Sequence, residues 1–143
     1  MVIAGLLKEK GGKVLSVPPH AHIAEVVQML VANRIGAVVV ISGEGTIEGI
    51  LSERDIVRSL AESGAGTLDR TAADLMTTNV TTATPQTTVA AAMELMTTGR
   101  FRHVPVLDEG RLIGLVSIGD VVKAKIAGAE QEVDSLRAYV VGA

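Results

Sequence analysis

The strongest constraint on this chain is that one pattern occurs in it twice. VLSVPPHAHIAEVVQMLVANRIGAVVVI (Val14 to Ile41) lies over VTTATPQTTVAAAMELMTTGRFRHVPVL (Val80 to Leu107) without a gap. Val14 meets Val80, Pro19 meets Pro85, Arg34 meets Arg100 and Val40 meets Val106, a constant offset of 66. Beyond Ile41 the offset falls to 65, because SGEGT in the first copy is one residue longer; a Gly-rich turn tolerates such a change. Gly49, Ser52 and Asp55 then meet Gly114, Ser117 and Asp120. A duplicated chain of 143 residues is expected to fold as two like units. Units of about 55–60 residues are marginal as separate cores, so the repeats are expected to share the burial of their apolar strands.

Each copy reads the same way. An extended stretch ends at proline (Pro18 and Pro19, or Pro85). An amphipathic helix follows, with Ile23, Val26, Val27 and Leu30 on one face in the first copy and Val89, Ala92, Met93 and Met96 in the second. The β-branched runs AVVVI and HVPVL come next, and the turns SGEGT and DEG bring the chain back as hairpins. A last helix opens at Ser52 or Ser117. The fold class is α+β: two β-α-β-β-α repeats packed sheet to sheet with pseudo-twofold symmetry. The first repeat is placed at 2–61, a polar, Gly-rich linker at 62–71, and the second repeat at 72–127, entered through a short helix in AADLMTTN. Residues 128–143 read as a helical tail with Val133, Leu136 and Val140 at helical spacing, suited to packing on the body or on a second subunit.

Composition removes several functions. With 48% hydrophobic residues and a positive mean hydropathy, disorder is not expected. One Phe, one Tyr and no Trp provide no stacking platform for single-stranded nucleic acid. The core must come from Val, Ile, Leu, Met and Ala, and Met29, Met76, Met93 and Met96 read as core filler. A net charge of −3 gives no basic field for a phosphate backbone, so no nucleic-acid partner is expected. The absence of cysteine excludes disulfides and thiolate zinc sites. His20, His22 and His103 form no helix-spaced pair with a carboxylate, and no metal is expected. VIAGLL, followed at once by Lys8, Glu9 and Lys10, is too short for a signal peptide's apolar region or a membrane span. The expected setting is soluble and cytoplasmic, away from membranes.

GILSERDIV (Gly49 to Val57) and GLVSIGDVV (Gly114 to Val122) share the pattern Gly-x-x-Ser-x-x-Asp. Taken singly, each is a helix cap, with Ser at the N-cap and an acid three positions later. Taken as a pair in register, they suit a nucleotide. A vicinal diol offers two donors to one carboxylate, and a helix start adds N–H donors and a positive dipole end for phosphate. With MTTNVTT and RHVPV also in place, the chain resembles a tandem pair of cystathionine-β-synthase (CBS) domains, a Bateman module, over about residues 2 to 127.

The resemblance implies a regulatory fold that needs no cofactor and binds AMP, ADP, ATP, NAD or S-adenosyl ligands in the cleft between its repeats. It implies one site with Asp55 at the ribose, Arg102, His103 and Ser117 at phosphate, and an adenine wall near Leu15, Ser16 and Val17. The second would have Asp120 at the ribose, Thr81, Thr82 and Ala83 near adenine, and Ser52 and Arg54 near phosphate. The copies differ: where the second repeat has Arg102 and His103, the first has Gly36 and Ala37, and Arg54 faces Gly119 in the alignment. Gly36 therefore enters the site as permissive backbone. The sites are expected to be non-equivalent, with Arg54 the compensating cation. For Arg102 and His103 the competing reading is an edge-strand pair with solvated heads. Arg34 and Arg100 are expected to contact solvent or a partner.

The expected function is adenylate sensing, transmitted to a homodimer or to a regulated protein. A structural dimerisation module with degenerate sites is the alternative, since capping alone accounts for Ser and Asp. A nucleotide-modifying enzyme is disfavoured: there is no Cys, no paired carboxylates within one motif and no linked Ser, His and Asp set.

Overall fold

The computed structural model describes residues 1–11 and 14–142. In chain order its elements are α1 (Ile3–Lys10), β1 (Ser16–Val17), α2 (Ile23–Asn33), β2 (Ala37–Ile41), β3 (Ile47–Ser52) and α3 (Glu53–Ser63). A 3-10 helix (Gly64–Asp69) and α4 (Ala72–Leu75) follow, then α5 (Val89–Gly99), β4 (His103–Asp108), β5 (Arg111–Ser117) and α6 (Ile118–Gly142). They form two compact units. One is Lys13–Thr81; the other joins Met1–Gly12 to Thr82–Ala143.

In the unit Lys13–Thr81, β2 is the central strand, parallel to β1 and antiparallel to β3. Ala37, Val38, Val39 and Val40 are all buried. Ile23, Val26 and Leu30 of α2 pack with Val38, Val40 and Leu51. The other unit repeats this plan around Val89, Ala92, Met96, Val104, Val106 and Val116. Its first strand shrinks to a single parallel bridge between Ala83 and Val106, held by Ala83 N–H to the Pro105 carbonyl and Leu107 N–H to Ala83. Pro105 has no N–H of its own to extend the ladder.

The duplication extends to backbone detail. Both hairpins carry a register shift at matching points, Val40/Ile41 and Val106/Leu107. Both first helices end on an arginine in the left-handed region, Arg34 at φ 53° and Arg100 at φ 55°. The chain reverses through Gly45 in one hairpin and through Glu109 and Gly110, both with positive φ, in the other, as a two-residue primed turn requires.

The segments ahead of the repeats are the part the sequence reading places differently. α1, placed at the start of the first repeat, is built into the unit of the second. Ile3 N–H bonds to the Thr87 carbonyl and Ala4 N–H to that of Pro85, while Ile3 and Leu6 are buried in its core. In return, α4 and the residues after it serve the first: Thr77 bridges Ile50, and Leu75 and Met76 pack on its core. This arrangement explains the two motif glycines. A Cβ at Gly49 would lie 2.7 Å from the Thr77 carbonyl oxygen, and one at Gly114 would lie 2.6 Å from Leu7 Cδ2.

The stretch expected as a linker is folded onto α3, where the Thr67 and Ser59 hydroxyls share a buried 2.9 Å hydrogen bond. The expected tail is the second half of one continuous helix, α6, with Val133, Leu136 and Val140 exposed. Packing of this stripe on the body of its own unit is therefore not what the structure shows.

Candidate functional site

Each Ser-x-x-Asp element occupies the corner where the second hairpin strand turns into the last helix. Ser52 ends β3 in an extended conformation and caps α3. Its backbone N–H and its hydroxyl both donate to Asp55 Oδ2 at 3.0 Å, and Asp55 N–H donates to Ser52 Oγ at 3.3 Å. This is a reciprocal capping box with Asp in the place of Glu. At the second corner, Ser117 N–H donates to Asp120 Oδ2 at 2.9 Å and Asp120 N–H to Ser117 Oγ at 3.1 Å. Both aspartates are half-buried. In both, every capping bond that the carboxylate accepts falls on Oδ2.

The strand neighbouring each corner completes it. Gly36 accepts a 2.9 Å hydrogen bond from Glu53 N–H, and Arg102 accepts the equivalent 2.8 Å bond from Ile118 N–H. Gly36 and Arg102 thus have the same backbone duty at the first free N–H of a helix. His103 stands directly across the β-ladder from Ser117, as Ala37 does from Ser52. Arg102, exposed, and His103, half-buried, therefore gather with Ser117 and Asp120 in one unit. Ser52, Asp55, Gly36 and the exposed Arg54 gather in the other.

Ser16 lies exposed on β1, across from Val39. Thr81 ends the unit Lys13–Thr81 and Thr82, exposed, opens the next segment beside the buried Ala83. Arg34 and Arg100, expected as solvent or partner contacts, have a backbone role: they are the left-handed C-caps of α2 and α5.

The two corners differ in charge. Lys10, at the end of α1, places Nζ 2.7 Å from Asp120 Oδ2 and donates a second 2.8 Å bond to the Leu115 carbonyl. Partial burial pushes the Asp120 carboxyl up, but the hydrogen bonds from Lys10 and Ser117 outweigh it and hold the group below its ordinary value. Among the described residues Asp55 has no ion pair. The sequence reading missed Lys10, because α1 lies outside the repeat and nothing in its charge run points to a residue 110 positions away.

Among the described residues no group of three or more His, Asp or Glu could hold a metal ion, and no helix is long and apolar enough to cross a membrane.

The CBS domain family profile matches residues 12–62 and 72–127. The mitochondrial CBS domain-containing protein CBSX3 of Arabidopsis thaliana is 36% identical over 148 residues, covering 98% of this chain and 72% of that protein. The crystal structure of the CBS-domain protein ATU1752 from Agrobacterium tumefaciens superposes with a TM-score of 0.84 at 46% identity, over 87% of this chain and 99% of the other. The CBS domain protein PAE2072 of Pyrobaculum aerophilum, solved in complex with AMP, gives a TM-score of 0.75 at 31% identity over 84% of this chain and 89% of the other. Two profile matches fall on the two repeats, and both corner motifs stand at the same strand-to-helix junction: the chain belongs to the CBS-domain family, as a tandem pair.

Proposed function

We propose that this chain is a regulatory module that binds an adenine nucleotide of the AMP, ATP or NAD type and passes its occupancy to a bound protein or a second copy. The observation that carries the reading is the division of labour within each aspartate. Oδ2 takes the capping bonds, so Oδ1 remains to accept hydrogen bonds from ribose hydroxyls without undoing the helix cap. AMP in the PAE2072 complex supports the ligand class. Asp55 then serves ribose, with Ser16 beside adenine, and Arg102, His103 and Ser117 serve phosphate. Asp120, Thr81, Thr82, Ser52 and Arg54 have the matching roles in a weaker second set. No chemistry on the nucleotide is part of the proposal, and the module acts in the cytoplasm.

For Asp120 the structural reading has its own support, since Lys10 already neutralises that carboxylate. Calorimetry with AMP, ATP, NAD and S-adenosylmethionine tests both readings, backed by mass spectrometry of whatever co-purifies. Asp55→Asn is expected to weaken adenylate binding at least tenfold. Asp74→Asn is the control, because Thr71 and Asp74 form a capping box at α4 with no proposed ligand role. Equal loss in both variants, or no adenylate binding at millimolar concentration, overturns the proposal.

A further inference from the structure

α6 runs for 25 residues. Val121 and Ala124, near its start, pack on the core of their unit, and Ala127, Gln131 and Leu136 line a groove with Met1 and with Glu9 of α1. Beside that groove, and sharing Leu136 with its rim, runs a second stripe: Val122, Ile126, Ala129, Val133, Leu136 and Val140. Their spacing alternates four and three, the heptad period at which two helices supercoil. All six are exposed, Val122 at 40% and Val140 at 72%. An apolar seam of this length facing water calls for a partner.

We infer that this partner is the same helix of a second copy, in a parallel, in-register coiled coil. Ile126, Val133 and Val140 occupy one core position of the heptad and Val122, Ala129 and Leu136 the other. A β-branched residue throughout the first set favours a parallel two-stranded assembly. The flanking charges agree. In the parallel register Lys125 faces Glu130 of the second copy, and Glu132 faces its Arg137. An antiparallel pairing that used the whole stripe would set Glu130 against Glu130, Glu132 against Glu132, and Lys123 against Arg137. Antiparallel pairings shifted by one heptad escape those repulsions, but they either set Leu136 against Gly119 and leave Val140 without a helical partner, or leave Val122 and Ile126 past the end of the partner helix. This inference does not depend on nucleotide binding.

The chain contains no cysteine, so single cysteines report the geometry cleanly. Leu136→Cys is expected to form a disulfide-linked dimer on mild oxidation. Val141→Cys, more exposed but off the stripe, is expected to remain largely monomeric. In sedimentation of the full chain over a dilution series, Val133→Lys should raise the dimer dissociation constant at least tenfold. Glu132→Lys should weaken the dimer, and adding Arg137→Glu should restore it. A chain that is monomeric throughout, or a dimer indifferent to Val133→Lys, overturns the interface. A dimer sensitive to Val133→Lys in which Leu136→Cys links no better than Val141→Cys overturns the parallel register.

Discussion

Lys10 of α1 holds Asp120 of α6 at 2.7 Å, and this pair, more than any difference within the repeats, separates the two corner motifs. Their capping geometry is otherwise alike, down to the oxygen used. The alignment pointed to Arg54 against Gly119 as the source of asymmetry, and Arg54 is exposed beside its corner. Arg54 is expected to strengthen the set built on Asp120, whereas Lys10 weakens it. Lys10 occupies Oδ2 of Asp120 and lowers the negative charge offered there to a ligand.

Replacing Lys10 should therefore change ligand stoichiometry. The wild type is expected to bind one adenylate strongly and a second at least tenfold more weakly. Lys10→Met frees the Asp120 carboxylate and should narrow that gap in a calorimetric titration. A weaker second site in Lys10→Met would instead make Lys10 a phosphate ligand. The cost in stability should be small, about 0–1 kcal/mol, because the pair is partly exposed and screened by solvent.

Acid titration gives an independent check on the same pair. The Asp120 carboxyl is held below its ordinary value of 3.8 in the folded chain, so the unfolded chain binds its proton first. The resulting stabilisation is complete above 3.8 and is lost as pH falls through the lower folded value. Asp120→Asn should thus be less stable than wild type at neutral pH, by on the order of 1 kcal/mol after screening. The two unfolding free energies should converge in strong acid, measured by urea denaturation across pH. A gap that persists at the acid end would assign the loss to the cap alone.

Much of this architecture was legible in the chain. A continuous β-branched run such as AVVVI beside a helix with Ile23, Val26 and Leu30 on one face leaves little freedom. The corner motifs were legible as well, because capping is local chemistry written within four residues. What could not be read was non-local. VIAGLL lies outside the repeat, and its fit against Gly114 depends on shape more than one hundred positions away. Arg34 and Arg100 are exposed, as expected, but their capping role was hidden, because an arginine does not mark a left-handed φ as glycine or asparagine would. The Ser59 and Thr67 bond that anchors the expected linker is likewise a tertiary contact between two commonplace residues.

The motif glycines should respond unequally to substitution. At Gly49 the added Cβ meets a backbone oxygen, Thr77 O at 2.7 Å, which moves only if the Ile50 to Thr77 bridge moves. At Gly114 it meets the methyl end of Leu7, which can change rotamer. Gly49→Ala is expected to cost about 2–3 kcal/mol and Gly114→Ala about 1 kcal/mol. Thermal or urea unfolding of the two variants gives the order, and a reversed order would contradict the packing described at both glycines.

Arg34 offers the opposite sign. It ends α2 at φ 53°, ψ 46°, with its N–H bonded back to the Leu30 and Val31 carbonyls. A side chain in this region pays a steric cost that glycine does not, and the arginine is exposed. Glycine, however, gains freedom in the unfolded chain, which offsets part of the relief. The balance at a C-terminal helix position in the left-handed region favours glycine. Arg34→Gly is therefore expected to raise stability by about 0.5–1 kcal/mol, read as a higher midpoint in urea with an unchanged slope. Arg34→Ala, which keeps the Cβ and removes only the guanidinium, should be neutral within about 0.5 kcal/mol. If the alanine variant loses stability as well, the guanidinium makes a contact that matters, and the backbone assignment of this residue fails.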